Sequence, residues 1–177
     1  PRPAVEGAKG DPAKADQLRK EWDELTDTHQ FLSMTRRLKM NRLGAYRMIG
    51  APHARPLARD AITHLLNAAS GQEVEIMIFV GNEGCIQIHG GPVKKIVAMG
   101  PWINVLDPRF DLHLRTDHVA EVWLVNKPTR RGPAISVEAF DKDGYLIAQI
   151  FGRKPEENMA RWNALVETLP KAEEVAA

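Results

Sequence analysis

The chain has 177 residues, with 24 Lys plus Arg against 23 Asp plus Glu, 44% hydrophobic and 27% charged residues. That balance describes one globular domain and argues against a disordered chain, a strongly basic polyanion binder or two large domains. The single cysteine, Cys85, rules out an internal disulfide and any multi-cysteine zinc or iron–sulfur centre, and points to a reducing, cytoplasmic compartment.

The first dozen residues mix proline, glycine and charge without apolar periodicity and read as a flexible lead-in or linker. A single domain is expected over 13–170, followed by a tail at 171–177. Leu18, Trp22 and Leu25 recur at helical spacing, and the stripe continues through Leu32, Arg36 and Met40. Asp27 with Gln30 three positions on has the form of a capping box, with Asp in place of Ser or Thr. Asn41 is placed to cap a third helix through Leu43 and Tyr46 that stops at Gly50 and Pro52. Residues 60–69 predict a fourth helix, so helices are expected throughout 13–70. From Val74 the period shifts to two. Seven β-rich runs within 74–152, parted by glycine, proline and Asp-Pro turns, predict a large antiparallel sheet or two stacked sheets. The longest apolar stretch among them, Ile76 to Val80, is far below the roughly 18 residues of a membrane span. Asp143-Gly144 marks a hairpin turn. Residues 155–169 return to helix, with Pro155 in the first turn and Trp162, Leu165 and Leu169 on the apolar side. Helices, then strands, then a helix make an α+β fold.

No G-x-G-x-x-G, Walker A loop or G-x-S-x-G is present, so nucleotide binding and serine hydrolysis lack their usual marks. The near-zero net charge and the lack of a recognisable nucleic-acid motif argue against nucleic acid as a partner. The six histidines, His29, His53, His64, His89, His113 and His118, show no metal-ligand spacing within one element, which argues against a protein-only zinc centre. Cys85 and His89 share a strand face, but four positions along a strand are ~13 Å apart, too far for a nucleophile and its base. His29 stands apart. With Asp27 as cap it lies in the first helical turn, where the helix dipole disfavours the imidazolium and keeps a lone pair for iron or zinc. Phe31, Leu32 and Met34 would supply an apolar wall. A histidine at a helix start also serves commonly as a capping or packing residue, and the residues alone leave both readings open. Arg36, Arg37, Lys39, Arg42 and Arg47, joined later by Lys127, Arg130, Arg131, Arg153 and Lys154, are either a solvated face or discrete partners for a small dianionic ligand.

Five strings carry a resemblance: LTDTHQFL (25–32), GNEGCIQIHGGPVKKIVAMGPWINVLDPRFDLHLR (81–115), VWLVNKPT (122–129), VEAFDKDG (137–144) and IFGRKP (150–155). Together they resemble the haemin-degrading and haem-trafficking factors of the HemS, HmuS, PhuS and ChuS type, over residues 16–169. Members of that family hold two tandem copies of a similar half, and this chain resembles the carboxy-terminal one. On that expectation, the start at Pro1 and the proline-rich lead-in belong to a linker between halves. The resemblance implies a HemS/ChuX-like domain with haem in a cleft between helices and sheet, and iron on His29 of DTHQF. It implies haem-contacting roles for Arg42, Lys127 and Arg153, with Gln149 and Phe151 as wall residues; His89 or His113 would be the fallback ligand. The function implied is cytoplasmic haem binding in bacterial haem utilisation, as carrier or as an aid to degradation for iron release, with the carrier role favoured. The alternative is a non-catalytic half that forms a homodimer, pairs with a first half or docks on a haem oxygenase.

Overall fold

The structure, a computed structural model, describes residues 7–172. Three helices come first: α1 (Ala15–Asp23), α2 (Gln30–Arg37) and α3 (Arg42–Ile49). A short strand, β1 (Ala54–Leu57), precedes α4 (Ala61–Gly71). Eight strands follow: β2 (Ile76–Gly81), β3 (Ile86–Gly91), β4 (Ile96–Met99), β5 (Trp102–Asp107), β6 (Phe110–Arg115), β7 (Glu121–Lys127), β8 (Ala134–Phe140) and β9 (Leu146–Gly152). Helix α5 (Glu156–Glu167) closes the domain. The strands make two antiparallel sheets, one of order β1-β7-β8-β9-β2-β3 and one of order β4-β5-β6. The α+β architecture matches the expectation.

Two hydrophobic clusters fix the layers. Alternation along the strands sends Ile76, Ile78, Val122, Leu124, Val137, Ala139 and Ile150 to one face of the large sheet, where they pack with α4, α5 and the small sheet. Gly152 is needed there, because a Cβ on it would lie 2.4 Å from the Trp162 ring. Trp123, Val125 and Phe140 point the other way and join Leu18, Trp22, Phe31, Met34, Leu43 and Tyr46 of the three-helix module. The module is pinned to β7 by Trp22 Nε1, which donates to the Asn126 carbonyl at 2.9 Å.

Several expectations are corrected. The stretch 13–70 is not all helix, since β1 pairs with β7 as an edge strand that tolerates Pro56. The seven runs expected within 74–152 are eight strands, because the segment Trp102–Asp107, bracketed by Gly-Pro and Asp-Pro, forms the middle strand of the small sheet. Pro155 sits one position before the first helical residue of α5. Of the expected flexible lead-in, residues 1–6 lie outside the described residues, whereas Gly7–Gly10 is packed on α3. Asn41 N–H donates to the Lys9 carbonyl at 3.0 Å, Lys9 N–H donates to Asn41 Oδ1 at 2.9 Å, and a Cβ on Gly44 would collide with the Lys9 backbone. Of the expected tail, Lys171 bridges to Leu57, while 173–177 lie outside the described residues.

Candidate functional site

Strand pairing lines up two rows of side chains across the helix-module face of the large sheet. One row runs Pro56, Trp123, Glu138, Gln149, Phe79, Ile88, and the next runs Ala54, Val125, Ser136, Phe151, Met77, Gly90. The helices cover Ala54, Trp123 and Val125, and Ser136 and Glu138 are buried beside them, while Pro56 at the β1 end is exposed. The helices stop short of the other end, where Ile86 is 58% exposed, Ile88 54%, and Met77, Phe79 and Phe151 are half-buried. Phe79 meets Phe151 edge-on at 5.6 Å. The sheet therefore presents an open apolar shelf next to a helical wall, a surface suited to a flat apolar ligand.

At the border between covered and open halves lies a buried polar network. Glu138 is fully buried; its Oε1 accepts from Lys127 Nζ (3.2 Å), Ser136 Oγ (2.9 Å) and Gln149 Nε2 (2.9 Å). Its Oε2 accepts from Tyr46 Oη (2.8 Å) and Arg42 Nη1 (3.2 Å). The Lys127 ammonium also donates to Tyr46 Oη and lies 4.6 Å from the Phe31 ring centre, an aromatic setting that offsets part of its desolvation. Burial alone would raise the Glu138 pKa, but Lys127 and Arg42 beside it hold it down at about 2. Burial pulls Lys127 down to about 8 despite Glu138, and pushes the Tyr46 hydroxyl well up.

The second polar feature is at the start of α2. Asp27 Oδ1 accepts from the His29 N–H (2.8 Å) and lies 2.7 Å from His29 Nδ1, while Gln30 Oε1 accepts from the backbone of Thr26 and Asp27. Only half of the reciprocal pairing anticipated for Asp27 and Gln30 is present. Gln30 Oε1 accepts from the Asp27 N–H, but the Gln30 N–H goes to the Asp27 carbonyl, the helix itself begins at Gln30, and the Asp27 side chain accepts from His29. Those hydrogen bonds lower the Asp27 carboxyl pKa, the backbone one most. The His29 side chain is 95% exposed and its Nε2 has no protein partner among the described residues. His29 immediately precedes α2; Leu32 and Arg36, expected on the apolar stripe, are exposed on the same side of the helix, while Phe31, Met34 and Thr35 face inward. An Arg130 N–H to Thr26 carbonyl bond (3.0 Å) ties this turn to the β7–β8 connection, at the same end of the sheet as Lys127, Ser136 and Phe151.

Of the six anticipated residues, Arg42, Lys127 and Gln149 converge on Glu138, and Phe151 stands two positions along β9 from Gln149. Arg153 lies beside Gly90 at the rim and pairs with Glu75. His89 and His113 point elsewhere: His89 stacks on Phe110 at 3.8 Å on the opposite sheet face, and His113 Nδ1 is 2.7 Å from Asn104 Oδ1. Sequence reasoning missed Glu138, Tyr46 and the shelf residues Met77, Phe79, Ile86 and Ile88. A lone charge inside AISVEAF was a usable sign, since a mid-strand carboxylate flanked by apolar residues needs partners.

The model of the haemin-degrading HemS/ChuX domain matches residues 39–169. The haemin transport protein HemS of Yersinia enterocolitica is 43% identical over 136 residues, 77% of this chain and 39% of that protein. Holo-PhuS, a haem-binding protein of Pseudomonas aeruginosa, superposes with a TM-score of 0.88 at 41% identity, over 97% of this chain and 51% of that one. ChuX, at 13% identity and a TM-score of 0.68, shares the fold over 85% of this chain and 94% of its own. The chain thus spans about half or less of the length of HemS and PhuS. A match over most of the chain, in sequence and in three dimensions, places it in the haemin-degrading HemS/ChuX domain family.

Proposed function

We propose that this chain is a haem-binding domain of bacterial haem utilisation, with His29 Nε2 as iron ligand and the open shelf as the bed of the porphyrin. The observation that carries the reading is the His29–Asp27 pair. A carboxylate on Nδ1 fixes the proton there and turns the Nε2 lone pair outward, the arrangement that metal-binding histidines use. The other parts fit haem as well. Met77, Phe79, Ile86, Ile88 and Phe151 offer apolar area, Arg42 and Gln149 stand at its inner border, and Arg153 stands at its rim. Haem, when bound, would supply a redox-active iron.

A carrier role is favoured over degradation because His29 is almost fully exposed, which suits transfer between proteins better than chemistry that needs water excluded. A cytoplasmic setting agrees with the free, exposed thiol of Cys85. Titration of the chain with hemin should shift the Soret band, and His29→Ala should weaken binding by more than about tenfold, the loss expected for removing the protein's iron ligand. Unchanged binding by His29→Ala overturns the ligand assignment. A defined tetrapyrrole product formed with an electron donor in the presence of catalase overturns the carrier role. The exposed Ile86 and Ile88 favour a second reading, in which the same shelf meets a protein surface: a second copy, a first half or a haem oxygenase. A monomer by light scattering at all concentrations counts against self-association.

A further inference from the structure

Among the described residues the ring of His29 has one hydrogen-bond partner, Asp27. Asp27 Oδ1 lies 2.8 Å from the His29 backbone nitrogen and 2.7 Å from Nδ1, and it takes both protons, since an ionised carboxylate only accepts. The hydrogen bonds from His29, and to a lesser extent the charge of Arg130, favour that ionised form. The carboxylate is held in place by its own turn. Thr26 N–H and Asp27 N–H donate to Gln30 Oε1, Gln30 N–H donates to the Asp27 carbonyl at 3.1 Å, and the Thr26 carbonyl accepts from Arg130 N–H. A fixed negative charge therefore stands at the Nδ1 side of an imidazole whose Nε2 is open. Without a ligand this charge faces water, because the Asp27 side chain is 59% exposed. A flat ligand on Nε2 takes water off the ring, and the effect of the charge grows as the local dielectric falls. Such a charge distinguishes the two oxidation states of iron. The ferric porphyrin core is cationic and the ferrous core is neutral, so a carboxylate that strengthens the imidazole donor through Nδ1–H favours the ferric one.

We infer that Asp27 is a positioning residue that makes His29 selective for oxidised iron, so that the chain takes up ferric haem and loosens its hold when the iron is reduced. This rests on the haem reading. The reducing step moves one electron from an external single-electron donor, of the reduced-flavin or ferredoxin class, to Fe(III) and yields Fe(II). The donor is oxidised by that one electron. No proton moves: the Nδ1 proton stays on His29 and Asp27 stays ionised, so the same carboxylate faces a core that has lost its positive charge. By linkage, whatever factor the reduction takes from the affinity appears as a lowered potential of the bound haem.

The test uses the full chain loaded with hemin and reads potentials and affinities. Asp27→Asn keeps an oxygen acceptor for both His29 N–H groups and removes the charge. Spectroelectrochemical titration should place the potential of the wild-type complex about 59 mV below that of Asp27→Asn, the equivalent of a tenfold change in the ratio of ferric to ferrous affinity. Separate Soret titrations should assign that change to the ferric state: Asp27→Asn should bind hemin about tenfold more weakly and dithionite-reduced haem within about twofold of the wild type. A purely structural cap weakens both states alike and leaves the potential where it was; that result overturns this inference alone. A second measurement needs no variant. Haem should pass from the wild-type complex to apomyoglobin about tenfold faster after reduction, as a difference in dissociation rate. Equal rates from the two states also overturn this inference alone. No Soret shift of the wild type, or hemin binding unchanged in His29→Ala, overturns the haem ligand reading and this inference together.

Discussion

A buried carboxylate with two cationic partners makes the stability of the whole chain depend on acid. The Glu138 pKa is lowered from 4.5 to about 2, so the unfolded chain takes up a proton first as pH falls. Its contribution is full above pH 4.5 and is lost as pH drops through about 2. Urea midpoints measured from pH 6 to pH 2 should fall most steeply below 4.5, and Glu138→Gln should flatten that limb. Lys127 behaves in the opposite sense. Its pKa is lowered from 10.5 to about 8 by burial, so its charge opposes folding below pH 8 and that penalty fades as pH rises toward 10.5. The acidic residue was visible in the sequence as an anomaly in an apolar strand, yet its partners were not. They arrive from α3, β7 and β9, up to 96 positions away, and only register and helix placement bring them together. Asp27 and His29, by contrast, are two residues apart and their contact is local, yet the sequence pattern pointed to Gln30 and not to His29 as the partner of the Asp27 side chain.

Elements were legible where periodicity or caps speak and obscure where a neighbour decides. Strands β6 and β8 follow the alternating runs residue for residue, and the Asp143-Gly144 turn closes as anticipated, with Asp141 Oδ1 accepting from the backbone of Asp143 and Tyr145. Strand β1 is four residues with a proline and has no pattern of its own; β7 makes it a strand. Strand β5 is hidden by its Gly-Pro and Asp-Pro flanks, although Ile103 and Val105 point inward in the ordinary alternation. The junction of α5 with β9 depends on a single glycine. Gly152→Ala would push a methyl group into Trp162, and thermal unfolding should show a loss of about 1–3 kcal/mol from overpacking. The packing of Gly7–Gly10 on α3 was beyond sequence reasoning for the same kind of reason: Gly44 looks like a weak helix residue until the Lys9 backbone is seen lying against it.

At the scale of the molecule, one sheet face is divided between an open half and a covered half, and the proposed haem site on the open half implies that stability and binding respond to different residues. Ile88→Ser alters a side chain that is 54% exposed, so its effect on unfolding should stay within about 0.5 kcal/mol. The same change should weaken hemin binding by several-fold through lost apolar contact, measured by the Soret titration. A match between these two outcomes, both large or both absent, would mean that the shelf is not the binding surface. The edges of the large sheet differ too. At β1 the bridge from Leu57 to Lys171 and the Ala58 N–H to Pro170 carbonyl bond occupy the outer edge, while β3 bonds only to β2 among the described residues. Within the large sheet, only the β3 edge is open to a further strand among the described residues. Strand-edge association through the large sheet would therefore set β3 against β3 and close at two molecules.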